Sequence, residues 1–412
     1  MYLQKAGNMS NPVKKRQFAI DKLMVLILVL YAGTSLLALY ASAPHLSGGL
    51  SEAKGYIIRQ GAFFGMGFVS ILILVFMGKE MVYGIFRMVY FVLMFALIVL
   101  LLQKYGILRL GFIRPVGGTY AWYQFPGFSF QPSEFMKIVL IVITSKVIQD
   151  HNRTREEMTF KSDLLLFLKV GKWVIPPLLL IFLQPDTGVP FIIIISLIIM
   201  LLMSGIRREW FIMMAIILVC ALVFVVYSYY FKIEWLEAVF GTNYRLRRFY
   251  GWLDYEKYYQ TYGWQLYSSL IALGNAGSSG LGTGNSVIPI AASHTDFIFS
   301  VFGSAFGFIG SLWLVFLSII LDLRLIHLTI RSKNFRLKYI LSGVLGIFVY
   351  QQLQNIMMVV GILPITGITL PLISYGGSSL ISYMFTLSFA FIAYNEIKNE
   401  PGYGEAVDNP YV

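Results

Sequence analysis

The chain has 412 residues, of which 58% are hydrophobic, 16% aromatic and only 13% charged, about half the charged fraction of an average soluble domain. With a mean hydropathy of +0.73 it could not cover itself as a soluble globule, and disorder, collagen, coiled coil and nucleic-acid binding are excluded. The net charge of +12, from 32 Lys and Arg against 20 Asp and Glu, reads first as a topology signal, because basic residues collect in short cytoplasmic loops.

Each bilayer crossing takes about 20 apolar residues, and ten apolar runs predict an all-α polytopic membrane protein: 23–41, 57–77, 86–102, 134–149, 173–183, 189–205, 210–230, 297–321, 339–360 and 375–394. The first run is too long for a signal-peptide core and lacks a cleavage pattern, so it is expected to be retained. The fifth is short and holds Pro176-Pro177, which predicts a broken or tilted helix whose freed backbone groups are satisfied by protein neighbours. With the N-terminus inside, 21 of the 32 Lys and Arg fall on the cytoplasmic side. The expected organisation is a cytoplasmic N-terminus (1–22), one transmembrane domain (23–394) and a cytoplasmic tail (395–412). Two outside segments, 103–133 and 231–296, are too long for connectors. The second carries Trp235, Trp252 and Trp264 among many tyrosines, which suits an ordered loop resting at headgroup depth. The single cysteine, Cys220, lies inside an apolar run and reads as a packing residue.

Charges at membrane depth are informative because removing them from water is costly without a partner or a wet cavity. In chain order, Glu134 and Lys137 lie three residues apart on one helix face and can pair, with Ser133 suited to the helix N-cap. A structural ion pair and a substrate role fit them equally. Asp186, in Gln184-Pro-Asp-Thr-Gly188, is placed to cap the sixth span or to orient Lys137 or an acceptor hydroxyl. Arg245, Arg247 and Arg248 cluster in the long outside loop, where guanidinium forks suit a phosphate or anionic headgroups. Gly274 to Gly284 is glycine-rich without a P-loop ending and fits a flexible or closely packed loop.

His294-Thr-Asp-Phe-Ile-Phe299 puts the Asp296 carboxylate at the lip of the eighth span. A low-dielectric boundary raises a carboxyl's proton affinity, as a general base requires, although a helix N-cap is the plain alternative. Between Gly361 and Ser379 proline and glycine are too dense for an uninterrupted helix, which predicts an irregular segment lining a cavity. The histidines are scattered, so no metal cluster is predicted from spacing.

Gln131-Pro-Ser-Glu134, Gln184-Pro-Asp-Thr-Gly188, His294-Thr-Asp-Phe-Ile-Phe299 and Pro371-Leu-Ile-Ser-Tyr-Gly-Gly-Ser-Ser379 occur in the order found in the SEDS family (shape, elongation, division and sporulation), which the chain resembles from Lys22 to Tyr394. The resemblance implies a ten-span fold and a peptidoglycan glycosyltransferase that polymerises lipid II outside the bacterial cytoplasmic membrane, with a class B penicillin-binding protein as partner. It implies that Asp296 takes the proton of the acceptor 4-hydroxyl while undecaprenyl pyrophosphate leaves. Arg248, Arg245 and Lys137 would then stabilise the diphosphate, Glu134 would support Lys137, and Asp186, His294, Tyr375, Ser378 and Ser379 would shape the substrate cavity. No cofactor is fixed by the resemblance; a divalent cation, magnesium or manganese, is compatible with it. The chain departs from the family at Gly303-Ser-Ala-Phe-Gly307, usually Gly-Glu-Glu-Leu-Gly, at Ala121 and at Ala276. A lipid II flippase and a catalytically weak scaffold are the alternative functions.

Overall fold

The computed structural model describes residues 19–399 apart from 117, 185, 187 and 241–243, and leaves out the side chains of 239, 240, 244 and 245. Most of the expected N-terminal segment (1–22) and of the tail (395–412) lies outside the described residues, as does the Arg245 side chain.

The ten apolar runs are all helical. They correspond to α1 (Lys22–Ala41), α2 (Gly49–Met77), α3 (Lys79–Lys104), α4 (Pro132–Thr154), α5 (Phe160–Leu183), α6 (Gly188–Met203), α7 (Arg208–Phe231) and, after the long loop, α11 (Ile298–Arg331), α12 (Phe335–Val359) and α13 (Gly377–Lys398). Among the described residues, seven helices are long and apolar enough to cross a membrane, and α6 is apolar but only 16 residues long. The remaining two, α4 and α12, are richer in polar residues because they stand at the centre. Glu134, Lys137, Gln351, Gln352 and Asn355 are all buried there, so protein rather than lipid solvates them. At the periphery α7 buries only Trp210 and Ser228.

Three local expectations are corrected. First, α5 is one continuous helix that starts at Phe160, with both prolines inside. Pro177 has no N–H for the Trp173 carbonyl four residues earlier, and the Tyr90 hydroxyl donates to that carbonyl at 3.0 Å instead. Second, Ser133 is not the cap of α4: the helix starts at Pro132 with Gln131 as N-cap, because proline at the first helical position presets the backbone dihedral. Third, Phe297, not Asp296, occupies the N-cap of α11, so the plain alternative for Asp296 does not hold.

The two long segments are ordered around short elements. A hairpin pairs β1 (Tyr123–Phe125) with β2 (Phe128–Phe130), and 231–296 contains α8 (Ile233–Phe240), α9 (Tyr244–Leu253) and α10 (Trp264–Gly274). Trp252 anchors α9 by donating from Nε1 to the Gly361 carbonyl at 2.9 Å.

Within the glycine-rich stretch, Gly280 is closely packed against the break in α11, whereas Gly274, Gly277, Gly282 and Gly284 are exposed. At Gly307, α11 breaks with φ 68° and ψ −160°, and the carbonyls of Ser304 and Ala305 accept from the N–H groups of Leu281 and Gly282 at 3.0 Å each. A β-carbon on Gly280, whose φ is +83°, would lie 2.2 Å from the Ala305 oxygen. Gly280→Ala should therefore cost about 1–3 kcal/mol and lower the thermal unfolding midpoint of the purified protein. An unchanged midpoint would contradict this packing.

Candidate active site

The N-terminal halves of α2, α4, α6 and α13, the hairpin and the irregular segment 361–376 enclose a cavity of about 750 Å³. Its wall includes Glu134, Asp186, Arg248, His294, Asp296 and Tyr375, residues that are far apart in sequence. Tight backbone pinning brings them together. Asn355 on α12 donates from Nδ2 to the carbonyls of Asp296 and Ile368, each at 2.7 Å, which ties the loop before α11 to the irregular segment. Ser374 adds a second tie, donating to the Thr295 carbonyl at 2.8 Å while accepting from the Leu370 N–H at 2.8 Å. The Tyr375 N–H donates to the His294 carbonyl at 2.8 Å.

Because 361–376 is not helical, its polar backbone groups need other partners. Arg248 donates from Nη1 to the Thr366 carbonyl at 3.0 Å, Gln354 to that of Pro364 at 3.1 Å, Ser35 to that of Ile373 at 2.8 Å and Gln60 to that of Ser374 at 3.0 Å. Among the described residues two non-glycines take positive φ, Ala292 at 52° and Leu372 at 64°. Each lies two residues before a pinned position, His294 or Ser374. Such strain persists only where the surroundings over-determine the backbone.

Asp296 and Arg248 meet at Gly367, whose φ is +75°. A β-carbon there would sit at ordinary contact distance, 3.4 Å from Asp296 Oδ2 and 4.0 Å from Arg248 Nη2, so it is the left-handed backbone rather than lack of space that favours glycine at this point of the cavity wall. Burial pushes the Asp296 carboxyl up to about 7, opposed by the Arg248 charge and the Thr295 hydroxyl. His294 stacks on Tyr56 with ring centroids 4.5 Å apart. Burial holds its imidazole below the usual range, so it is neutral near pH 7.

Glu134 and Lys137 pair as expected, Nζ to Oε2 at 2.8 Å. Glu134 faces the cavity, whereas Lys137 is 1% exposed, stands behind it and lies 5.0 Å from the Tyr383 ring centroid. Asp186 accepts from the Val189 N–H at 3.2 Å in the capping position of α6 and from Gln131 Nε2 at 3.0 Å. Burial raises its carboxyl to about 6. Ser378 receives the Gln131 N–H at 3.0 Å and donates to the Ser129 carbonyl, so it fastens the hairpin to α13, while Ser379 lies on the cavity wall.

Sequence reasoning missed Arg59 and Gln351, which also line the cavity. A cation within the otherwise apolar stretch of α2 was the available signal for Arg59. Among the described residues no three His, Cys, Asp or Glu side chains are grouped to hold a metal. The donor set among the described residues does not fit a protein-built divalent-cation site.

Residues 21–396 match the family described as cell cycle protein FtsW, RodA and SpoVE. The chain is 27% identical over 364 residues to stage V sporulation protein E of Bacillus subtilis (strain 168), covering 87% of this chain and 93% of that one. It is 30% identical over 302 residues to a probable peptidoglycan glycosyltransferase FtsW of Geobacter sulfurreducens (strain DL-1 / KN400), covering 72% and 76%. Among solved structures it resembles the rod shape determining protein RodA of Thermus thermophilus, with TM-score 0.63 at 22% identity over 94% of this chain and all of that one. It also resembles a chain from a peptidoglycan synthase complex, with TM-score 0.70 at 22% identity over 93% of this chain and all of that one. A match over nearly the whole chain, joined to the shared fold, places this protein in the FtsW, RodA and SpoVE family of cell cycle proteins.

Proposed function

We propose that the protein is a peptidoglycan glycosyltransferase that polymerises lipid II at the outer face of the cytoplasmic membrane. The observation that carries this reading is the juxtaposition of Asp296 and Arg248 across Gly367 on the wall of a large cavity. A base and a cation on one cavity wall serve the two charges that sugar transfer develops.

As the acceptor 4-hydroxyl attacks the anomeric carbon of the donor, a glycosidic bond forms and the bond from that carbon to the diphosphate breaks. Asp296 takes the hydroxyl proton, and the undecaprenyl diphosphate leaves as an anion. Arg248 stabilises that charge, as preorganised cations do at developing oxyanions. Arg59 stands on the same wall and adds a second guanidinium toward the diphosphate. Glu134 and Asp186 face the cavity as hydrogen-bond acceptors for sugar hydroxyls, with Lys137 balancing their charge from behind. Tyr375, Ser379 and His294 shape the wall.

The basic-residue asymmetry supports an orientation with both termini cytoplasmic and the 231–296 segment outside. A class B penicillin-binding protein is the partner class that fits a glycan polymerase, since the strands made here need cross-linking. Purified protein, reconstituted with such a partner, should convert lipid II into glycan. Translocation of lipid II across liposomes with no polymer formed would refute the reading in favour of a flippase.

The same assay gives a pH prediction. Asp296 acts as a base only when deprotonated, and its carboxyl is raised to about 7. The rate should therefore climb as pH passes upward through about 7 and level off above it. A flat profile between pH 5.5 and 8 would remove Asp296 as the base.

A further inference from the structure

At the opposite end of α4 a second cleft of about 340 Å³ opens between α3, α4, α5 and the start of α12. Lys146 lies twelve positions after Glu134, about 18 Å along the helix, so the cleft is separate from the active site. Arg87, Lys146 and Arg336 converge on it against one carboxylate, Asp150. Its inner wall is apolar, with Phe86, Val142 and Trp173.

Two features distinguish this cleft from a solvated basic rim. The Arg336 guanidinium lies 3.6 Å from the Tyr83 ring centroid, a stacking that fixes its plane. Its Nε and the Tyr83 hydroxyl are both buried without a hydrogen-bond partner among the described residues, and buried polar atoms of that kind ask for one. Glu80 and Asp150 are the carboxylates within electrostatic reach of Arg336. The neighbouring Glu396 is engaged elsewhere, by Lys79 at 2.6 Å.

We propose that this cleft binds the phosphate headgroup of an anionic lipid, with the guanidinium and ammonium groups on the phosphate and the first part of an acyl chain against Phe86 and Trp173. Guanidinium forks match phosphate oxygens, and the apolar wall beneath them fits a chain entering from the bilayer rather than a free soluble anion.

The test reads lipid retention on the full-length protein by native mass spectrometry after extraction from bilayers of phosphatidylcholine with phosphatidylglycerol. Parallel samples contain undecaprenyl diphosphate in place of phosphatidylglycerol. Wild type should hold one anionic lipid, and Arg87→Gln with Lys146→Gln, both on exposed positions, should weaken retention about tenfold. Asp150→Asn should strengthen it. Retention of phosphatidylglycerol identifies bulk phospholipid as the source, and retention of undecaprenyl diphosphate alone identifies a polyprenyl carrier; both support a lipid-phosphate site. Equal retention by wild type and both variants, with unchanged helicity and unfolding midpoint, would overturn it. Glycan synthesis in detergent should be unaffected in all variants, so a failure here leaves the catalytic proposal standing.

Discussion

Asp296→Asn should reduce glycan synthesis by about 10²–10⁴-fold while the protein still folds and still binds lipid II. The amide keeps the shape of the carboxyl but can neither accept the acceptor's proton nor balance Arg248. Folding should survive because the loop is held by other groups. Asn355 and Ser374 grip the carbonyls of Asp296 and Thr295, and neither bond involves the side chain that changes. Removing a buried carboxyl whose proton affinity is already raised also relieves a desolvation cost, so the unfolding midpoint should not fall. The measurement is polymer formed from lipid II alongside the thermal midpoint. Full activity in the variant would show that the proton goes elsewhere. A collapsed midpoint would show that the carboxylate is part of the scaffold.

The contrast between what could and could not be read from the residues follows range in sequence. Pairs set by one helix turn were legible: Glu134 and Lys137 share a face by spacing alone, and Asp186 sits where a cap must sit. Apolar runs located all ten long helices because each needs a continuous stretch of side chains compatible with lipid or core. The start of α5 was not legible, since the charges interspersed between Phe160 and Lys172 hide a helix that packs against α3 and α4. The need for a neighbour to satisfy the carbonyl orphaned by Pro177 was legible, but not that its partner is the Tyr90 hydroxyl on another helix. Likewise Asp296 as cap or base was undecidable locally. Phe297 takes the cap instead, and the Asp296 carbonyl is held by Asn355, fifty-nine positions downstream. Lys137 was identifiable as a buried charge, but which of the pair faces the cavity depends on how α4 is rotated against α12 and α13.

That rotation makes the Glu134 and Lys137 pair separable by experiment. Glu134→Gln leaves the Lys137 ammonium, 1% exposed, without its counter-charge, which should cost about 3–5 kcal/mol. Lys137→Met removes the buried cation and leaves a carboxylate that can still reach the cavity's water, so its cost should be smaller. In the double variant both charges are gone and the methionine can fill the space against Tyr383. Stability should then return to within about 1 kcal/mol of wild type, as replacing a whole buried ion pair by packed neutral groups is often nearly neutral. Activity should not return with it. The Glu134 carboxylate is the member of the pair that lines the cavity, and Lys137 supplies the positive charge facing Glu134 and Asp186. A double variant that is both stable and fully active would show that the pair only sets the start of α4. One that is stable but slow, with KM for lipid II raised more than kcat is lowered, would place the pair in substrate binding.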